Sequence, residues 1–266
     1  MIKIFLILAF PLFLFSKIQI VTYFPLETKI IKKVAQKEAF AREITGVYTP
    51  IYQKMPKSEI SKLSNSKIYF HFGLDVEKEY ESVLKEENPN LIIVDLSKGV
   101  EKIDNNPYFW TDPFTLRVVA KTIYETFLEL DKRNADFYKE NYENFLNEID
   151  NTFLKIKQKI NGSEITTVYA FDDYWDYFAN RFRLNIIKKE KKHLDIAKIS
   201  SSINFTKDKN IQKILFFKGM DYNVLLSYTN NLNLQVIEND IFDDIWQTNL
   251  LEFSQKLFKT NNQHEN

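Results

Sequence analysis

The chain has 266 residues, 44% of them hydrophobic and 27% charged, with 36 Lys and Arg set against 36 Asp and Glu. That balance leaves no basic excess to hold nucleic acid and no acidic tail, and the length suits one large domain or two lobes of about 100 residues each. Cysteine is absent, which excludes disulfides, thiolate metal sites, cysteine nucleophiles and a lipid-modified N-terminal cysteine.

In chain order, Lys3 gives a short positive start, and Ile4 to Phe15 is an apolar run broken only by Pro11. The run is too short to span a bilayer, which takes about 20 residues, and has the length of a secretory signal core. Ser16 offers a small residue for cleavage, although Leu14 departs from the small residue such sites place two positions earlier. Residues 1–16 are therefore expected to be a cleaved signal peptide; an uncleaved anchor and a buried first strand are the alternatives. "IQIVTY" (18–23) is β-rich, and a helix is expected from Leu26 to about Arg42, with Ile30, Ile31, Val34 and Ala35 at helical spacing. "KIYFHF" (67–72) and "LIIVD" (91–95) have the form of buried parallel strands, separated by a helix through Val76, Tyr80, Val83 and Leu84.

In "NPYFWTDP" (106–113), Asp112 and Pro113 form the entrance to a helix, an acidic cap followed by proline. That helix carries Val119, Ile123, Phe127 and Leu130 on one face. From Asn134 to Ile160 apolar residues recur every three or four positions with no Pro or Gly, which predicts a rod of roughly 40 Å. Strand-like runs then resume at 165–170, 184–187, 213–217 and 234–238, with helices between them and a last helix from about Asp243 to Phe258. The lysine-rich stretch 188–204 reads as an exposed loop. The expected fold is thus α/β, two (β/α) lobes at 17–133 and 161–266 joined by one rigid helix at 134–160.

Seven strings in this order, "IVTYFPL", "SEISKLSNSKIYF", "DLSKGV", "NPYFWTDP", "ELDKRNADFYKENYENFLNEID", "YFANRFRL" and "VIENDIF", make the chain resemble the periplasmic metal-binding proteins of ABC importers for zinc, manganese and iron. The resemblance covers nearly the whole mature chain. It implies two lobes joined by a long helix, with the ligand held in the cleft between them, where open α/β sheets bind ligands on physical grounds as well. It also implies three histidines and one carboxylate as metal ligands, and here the chain departs. The family's "D-P-H" corresponds to Thr49-Pro50-Ile51, its second histidine to Tyr108, and its third to Asp172 in "FDDYWDYFA"; only the carboxylate is kept, as Asp240.

Tyr108, Asp172 and Asp240 are accordingly the candidate metal ligands, with Asp173 and His71 in reserve. Three oxygen donors form a hard set that favours iron or manganese over zinc. A phenol, with its pKa near 10, would ionise at neutral pH only against a strongly acidic cation. Each residue also has a purely structural reading. Tyr108 would be a buried aromatic, Asp172 and Asp173 helix caps, Asp240 a turn residue, and His71 part of a strand face. His193 and His264 carry no motif. The adjacent carboxylates at 172–173 and 243–244 point in different directions on a helix, and no nucleophile motif or phosphate loop accompanies them, so no enzyme is expected. The expectation is a monomeric periplasmic solute-binding protein that takes a metal ion to an inner-membrane ABC permease. The alternative is a degenerate relative with a non-metal small molecule or a protein as its partner. Tyr48, Tyr52, Tyr108, Trp110, Tyr174 and Trp175 would supply rings around such a cleft.

Overall fold

The computed structural model describes residues 17–49, 51–188, 206–207, 209–219, 222–223, 225–226 and 234–259. The expected signal segment, most of the lysine-rich stretch, His193 and His264 lie outside these residues. Two parallel sheets of four strands form the two lobes. The first contains β1 (Ile18–Thr22), β2 (Ala39–Glu43), β3 (Ile68–His71) and β4 (Ile92–Asp95) in the order β2-β1-β3-β4. The second contains β5 (Thr167–Ala170), β6 (Asn185–Lys188), β7 (Lys213–Phe217) and β8 (Gln235–Asn239) in the corresponding order β6-β5-β7-β8. Parallel pairing requires crossovers, and the first lobe supplies α1 (Pro25–Ala35), α2 (Lys57–Ser64) and α3 (Asp75–Glu87). Next come α4 (Thr115–Leu130), α5 (Ala135–Asn161), α6 (Asp176–Phe182) and, at the end, α7 (Trp246–Phe258).

One stretch differs from the sequence expectation. The helix anticipated from Leu26 to Arg42 stops at Ala35, and "AFARE" becomes the edge strand β2. Gln36 takes a φ of 42°, in the left-handed region that ends an α-helix, and its side chain donates to Asn141 Oδ1 at 2.5 Å. Beyond it, all five residues of β2 register with β1, from Ile18 opposite Ala39 to Thr22 opposite Glu43. Alanine and glutamate suit a helix, but ladder pairing against a buried strand outweighs that weak local preference.

The long helix α5 runs 27 residues, about 40 Å at 1.5 Å per residue. Its buried stripe includes Tyr138, Phe145, Ile149 and Ile156. It packs on α1 and α4 from the first lobe and on α7 from the second. Glu148 receives Lys33 of α1 at 2.6 Å, and Thr152 Oγ1 accepts from Gln247 of α7 at 2.8 Å. Consequently one continuous apolar core runs from β1 through α5 to α7.

Two buried acids brace the first lobe. Glu27 and Glu77 each sit in the first turn of a helix and return to the backbone just ahead of it, the reciprocal geometry of a capping box. Glu27 Oε2 accepts from Tyr23 N at 2.6 Å and Phe24 N at 3.3 Å, while its Oε1 accepts from Phe72 N at 2.9 Å. Glu77 Oε2 accepts from Leu74 N at 2.7 Å. Both carboxyls are fully buried and hydrogen-bonded to one another. Burial raises both pKa values, and the charge of Glu27 raises that of Glu77 further. Glu77 is thus the partner that holds the proton and donates it to Glu27.

Candidate functional site

In each sheet the strand order reverses between its two central strands, β1 and β3 or β5 and β7, and the crevice outside their carboxyl ends is where α/β sheets hold ligands. A cavity of about 810 Å³ opens there. Its lining comes from residues at or just past the ends of five strands: Pro25 after β1, Gly46 to Tyr48 after β2, Tyr174 after β5, Phe217 to Gly219 after β7, and Asp240 with Phe242 to Asp244 after β8. Both lobes contribute, so the cleft expected from the sequence is present.

Phe242 forms its floor. Tyr48 stacks on it at 3.7 Å with only 5° between the planes, and Phe24, Tyr108, Trp110, Tyr174 and Phe217 surround it at centroid distances of 5.6 to 6.5 Å. The loop carrying Tyr48 is tied to the first sheet by the Tyr23 hydroxyl, which donates to Thr49 O at 2.5 Å. Asp240 is positioned by its neighbours: its Oδ1 accepts from Phe242 N at 3.0 Å, and its carbonyl accepts from Asn249 Nδ2 at 2.7 Å. Asn249 in turn accepts from Asn239, which accepts from Trp175 Nε1 at 2.9 Å.

The "NPYFWTDP" segment stitches the lobes together. Asn106 accepts from Tyr108 N at 2.8 Å and donates to Asp173 O at 2.6 Å. Trp110 Nε1 donates to Ile241 O at 2.7 Å. Asp112 accepts from Phe114 N at 2.8 Å just ahead of α4, and both its oxygens accept from Arg181 Nε at 2.9 Å, with Nη2 2.8 Å from Oδ2.

The candidate ligands are distributed as follows. Asp240 lines the cavity directly. Tyr108 stands one layer behind the wall, its ring 4.7 Å from that of Tyr174. Asp172 acts electrostatically on Tyr174, and Asp173 on both tyrosines. Tyr174 therefore connects candidates that its sequence position only placed nearby. His71 belongs elsewhere: it is 2% exposed, its Nδ1 accepts from Gly73 N at 3.0 Å, and Glu77 and Glu81 lie 3.8 Å from its two nitrogens. None of these residues lines the cleft. Ile51 is 68% exposed and has no donor atom in its side chain.

Burial raises the pKa of all three cleft phenols. For Tyr48 it does so to about 12, with Tyr174 adding to the shift. Tyr108 is raised by burial, then by Tyr174 and Tyr48, and Tyr174 by burial, then by Asp172. At neutral pH these groups are hydrogen-bond donors. Among the described residues no three His, Cys, Asp or Glu side chains stand together as a metal-holding group. No described helix is long and apolar enough to cross a membrane.

Known proteins share this architecture. The crystal structure of ZnuA superposes with a TM-score of 0.79 at 20% identity, covering 91% of this chain and 98% of that one. The Mn-bound periplasmic metal binding protein from Candidatus Liberibacter asiaticus gives 0.75 at 15% identity over 91% and 100%. The metal-dependent lipoprotein YcdH from Bacillus subtilis gives 0.77 at 13% over 92% and 100%. At such identities the likeness establishes the fold alone. A curated relative, the manganese ABC transporter substrate-binding lipoprotein PsaA of Streptococcus anginosus, is 23% identical over 150 residues, 49% of this chain and 48% of that protein. The chain thus spans about half the length of that relative. The family model for zinc-uptake complex component A, periplasmic, matches residues 20–244, and with that match across both lobes and the long helix the chain belongs to the ZnuA family.

Proposed function

We propose that this chain is the solute-binding protein of a metal-ion ABC importer, capturing a cation between its lobes and presenting it to a membrane permease. The observation that carries the reading is the cleft itself: oxygen-bearing side chains on loops from both lobes converge at the carboxyl ends of two sheets held by one helix. Tyr108, Asp172 and Asp240 are the proposed donors, with Tyr174 between them and Asp173 behind. An all-oxygen set favours iron or manganese over zinc. The names of the relatives, which speak of zinc uptake and manganese transport, support a metal cargo. Residues 1–16 act as the export signal, residues 17–133 and 161–266 as the two lobes, and residues 134–160 as the connecting rod; the working location is the periplasm. Because α5 is braced on both lobes, capture involves a small rigid tilt rather than a wide hinge. No reaction is assigned to the chain, since the family acts by binding.

Elemental analysis of untagged protein, followed by thermal melting with added iron or manganese, tests this reading. A metal held at a hundredfold excess over its Kd adds about 2.7 kcal/mol, which raises the melting temperature of a chain this size by about 5–10 °C. Asp240→Ala should abolish that shift. Protein that carries no metal and melts unchanged with either ion would sink the proposal.

A further inference from the structure

We infer that the cleft takes its metal as a chelate, a hard cation already bound by a small aromatic hydroxy-acid anion. This rests on the metal-import reading and adds the chemical class of the cargo. Two independent features lead to it, a shortage of protein donors and a surplus of shaped space.

The shortage is one of coordination. Hard cations such as iron and manganese take about six oxygen donors. Of the four loop positions that would supply ligands, one carries the apolar, exposed Ile51. Asp240 already commits one oxygen to Phe242 N. Tyr108 stands behind the wall, its ring packed on Tyr174 at 4.7 Å. Asp243 likewise commits one oxygen, to Ile245 N, and among the described residues no three His, Cys, Asp or Glu side chains gather as a metal-holding group, so the remaining donors are assigned to a molecule that arrives with the metal.

The surplus is one of volume and surface. A cavity of about 810 Å³ falls in the range of about 300–1,000 Å³ that holds small organic molecules, whereas a single water-sized occupant needs only about 30 Å³. Its walls are rings. Tyr48 lies flat on Phe242, and Tyr174 and Phe217 meet at 4.7 Å, so a planar body finds ring faces and edges to pack against. The hydroxyls of Tyr48 and Tyr174 on the lining suit the oxygens of an anionic chelator, since a phenol O–H donates to such acceptors. Lys218 is exposed on the lining and supplies a cation for a carboxylate. Asp244 on the rim is paired with Lys29 at 3.4 Å, which tempers the acidic side of the mouth. In this arrangement Asp240 faces the metal, the phenols face chelator oxygens, and the Phe242 floor carries the aromatic ring.

Calorimetric titration with three probes tests the inference: ferric dihydroxybenzoate, dihydroxybenzoate alone, and manganese or ferrous ion alone. The complex should bind at least about tenfold tighter than either component, with a perturbed visible charge-transfer band. Lys218→Ala, at an exposed position that folding tolerates, should weaken the complex severalfold and leave binding of the bare ion unchanged. Tyr174→Phe should also weaken the complex severalfold. If the bare ion binds as tightly as the complex, and Lys218→Ala changes nothing, the chelate inference is overturned while metal import stands. If dihydroxybenzoate alone binds as tightly as its complex, both fall. If none of the three binds, the chelate inference is overturned, and the metal content of the purified protein decides the import reading separately.

Discussion

Replacing Glu27 or Glu77 by glutamine should have unequal consequences above about pH 7, although both side chains are fully buried and there share one proton. Glutamine at 77 mimics the protonated acid: its carbonyl accepts from Leu74 N, and its amide donates to the Glu27 carboxylate as the acid proton did. Glu77→Gln should therefore stay within about 1 kcal/mol of wild type at about pH 8, where Glu27 is ionised. Glutamine at 27 meets three backbone N–H groups spread over both carboxylate oxygens. Whichever way its amide turns, an NH₂ faces an N–H. One hydrogen bond to a charged acceptor, about 1.5–3 kcal/mol, is lost and a buried donor is stranded at about 1–3 kcal/mol more, so Glu27→Gln should cost about 3–5 kcal/mol. The pH dependence separates them again. Both acids have folded pKa values raised above the unfolded value, Glu27 to about 7 and Glu77 higher still. Their contribution is complete below the unfolded carboxyl pKa and is lost as pH rises through the folded values, at up to about 1.4 kcal/mol per pH unit for each proton released on unfolding. Wild type should lose stability from about pH 5 to about pH 8, and Glu77→Gln should flatten that decline. Urea denaturation at several pH values measures both effects. Equal destabilisation by the two substitutions, or a wild-type midpoint constant over that range, would refute the shared-proton account.

Lys213 is a buried lysine on β7 whose Nζ donates to the carbonyls of Lys256, Leu257 and Lys259 at 2.9, 2.8 and 2.7 Å, closing the last turn of α7. Lys213→Met should cost about 2–4 kcal/mol by leaving those carbonyls without their charged donor; chemical denaturation checks it, and an unchanged midpoint would show that the cap is dispensable. In the loop that follows Tyr48, Ile51→His should raise zinc affinity by about tenfold or more, because imidazole suits zinc and the exposed position tolerates it. Calorimetry with zinc would read the gain, and no gain would place loop 49–53 too far from the cation to ligate it.

Alternating strands and helices, the boundaries of α5 to within a residue or so, and seven of the eight strands are legible in hydrophobic periodicity alone, because burial of one face imposes its period on the chain. So are the loops that supply the cleft, which follow strand ends. The strand β2 is not, since its alanines and glutamate prefer a helix until β1 offers a ladder. Tyr174 is another case. The sequence places its ring near the cleft and beside two aspartates, but its contact with Tyr108, 66 positions earlier in the chain, exists only because two separate loops meet. The proton shared by Glu27 and Glu77 has the same origin: each acid reads as an ordinary member of its helix's first turn, and only the pairing of β1 with β3, which sets the starts of α1 and α3 side by side, buries them together. Local pattern dictates which residues turn inward; which inward-turned residues touch depends on contacts distant in sequence, and those arise only when the sheets close around them.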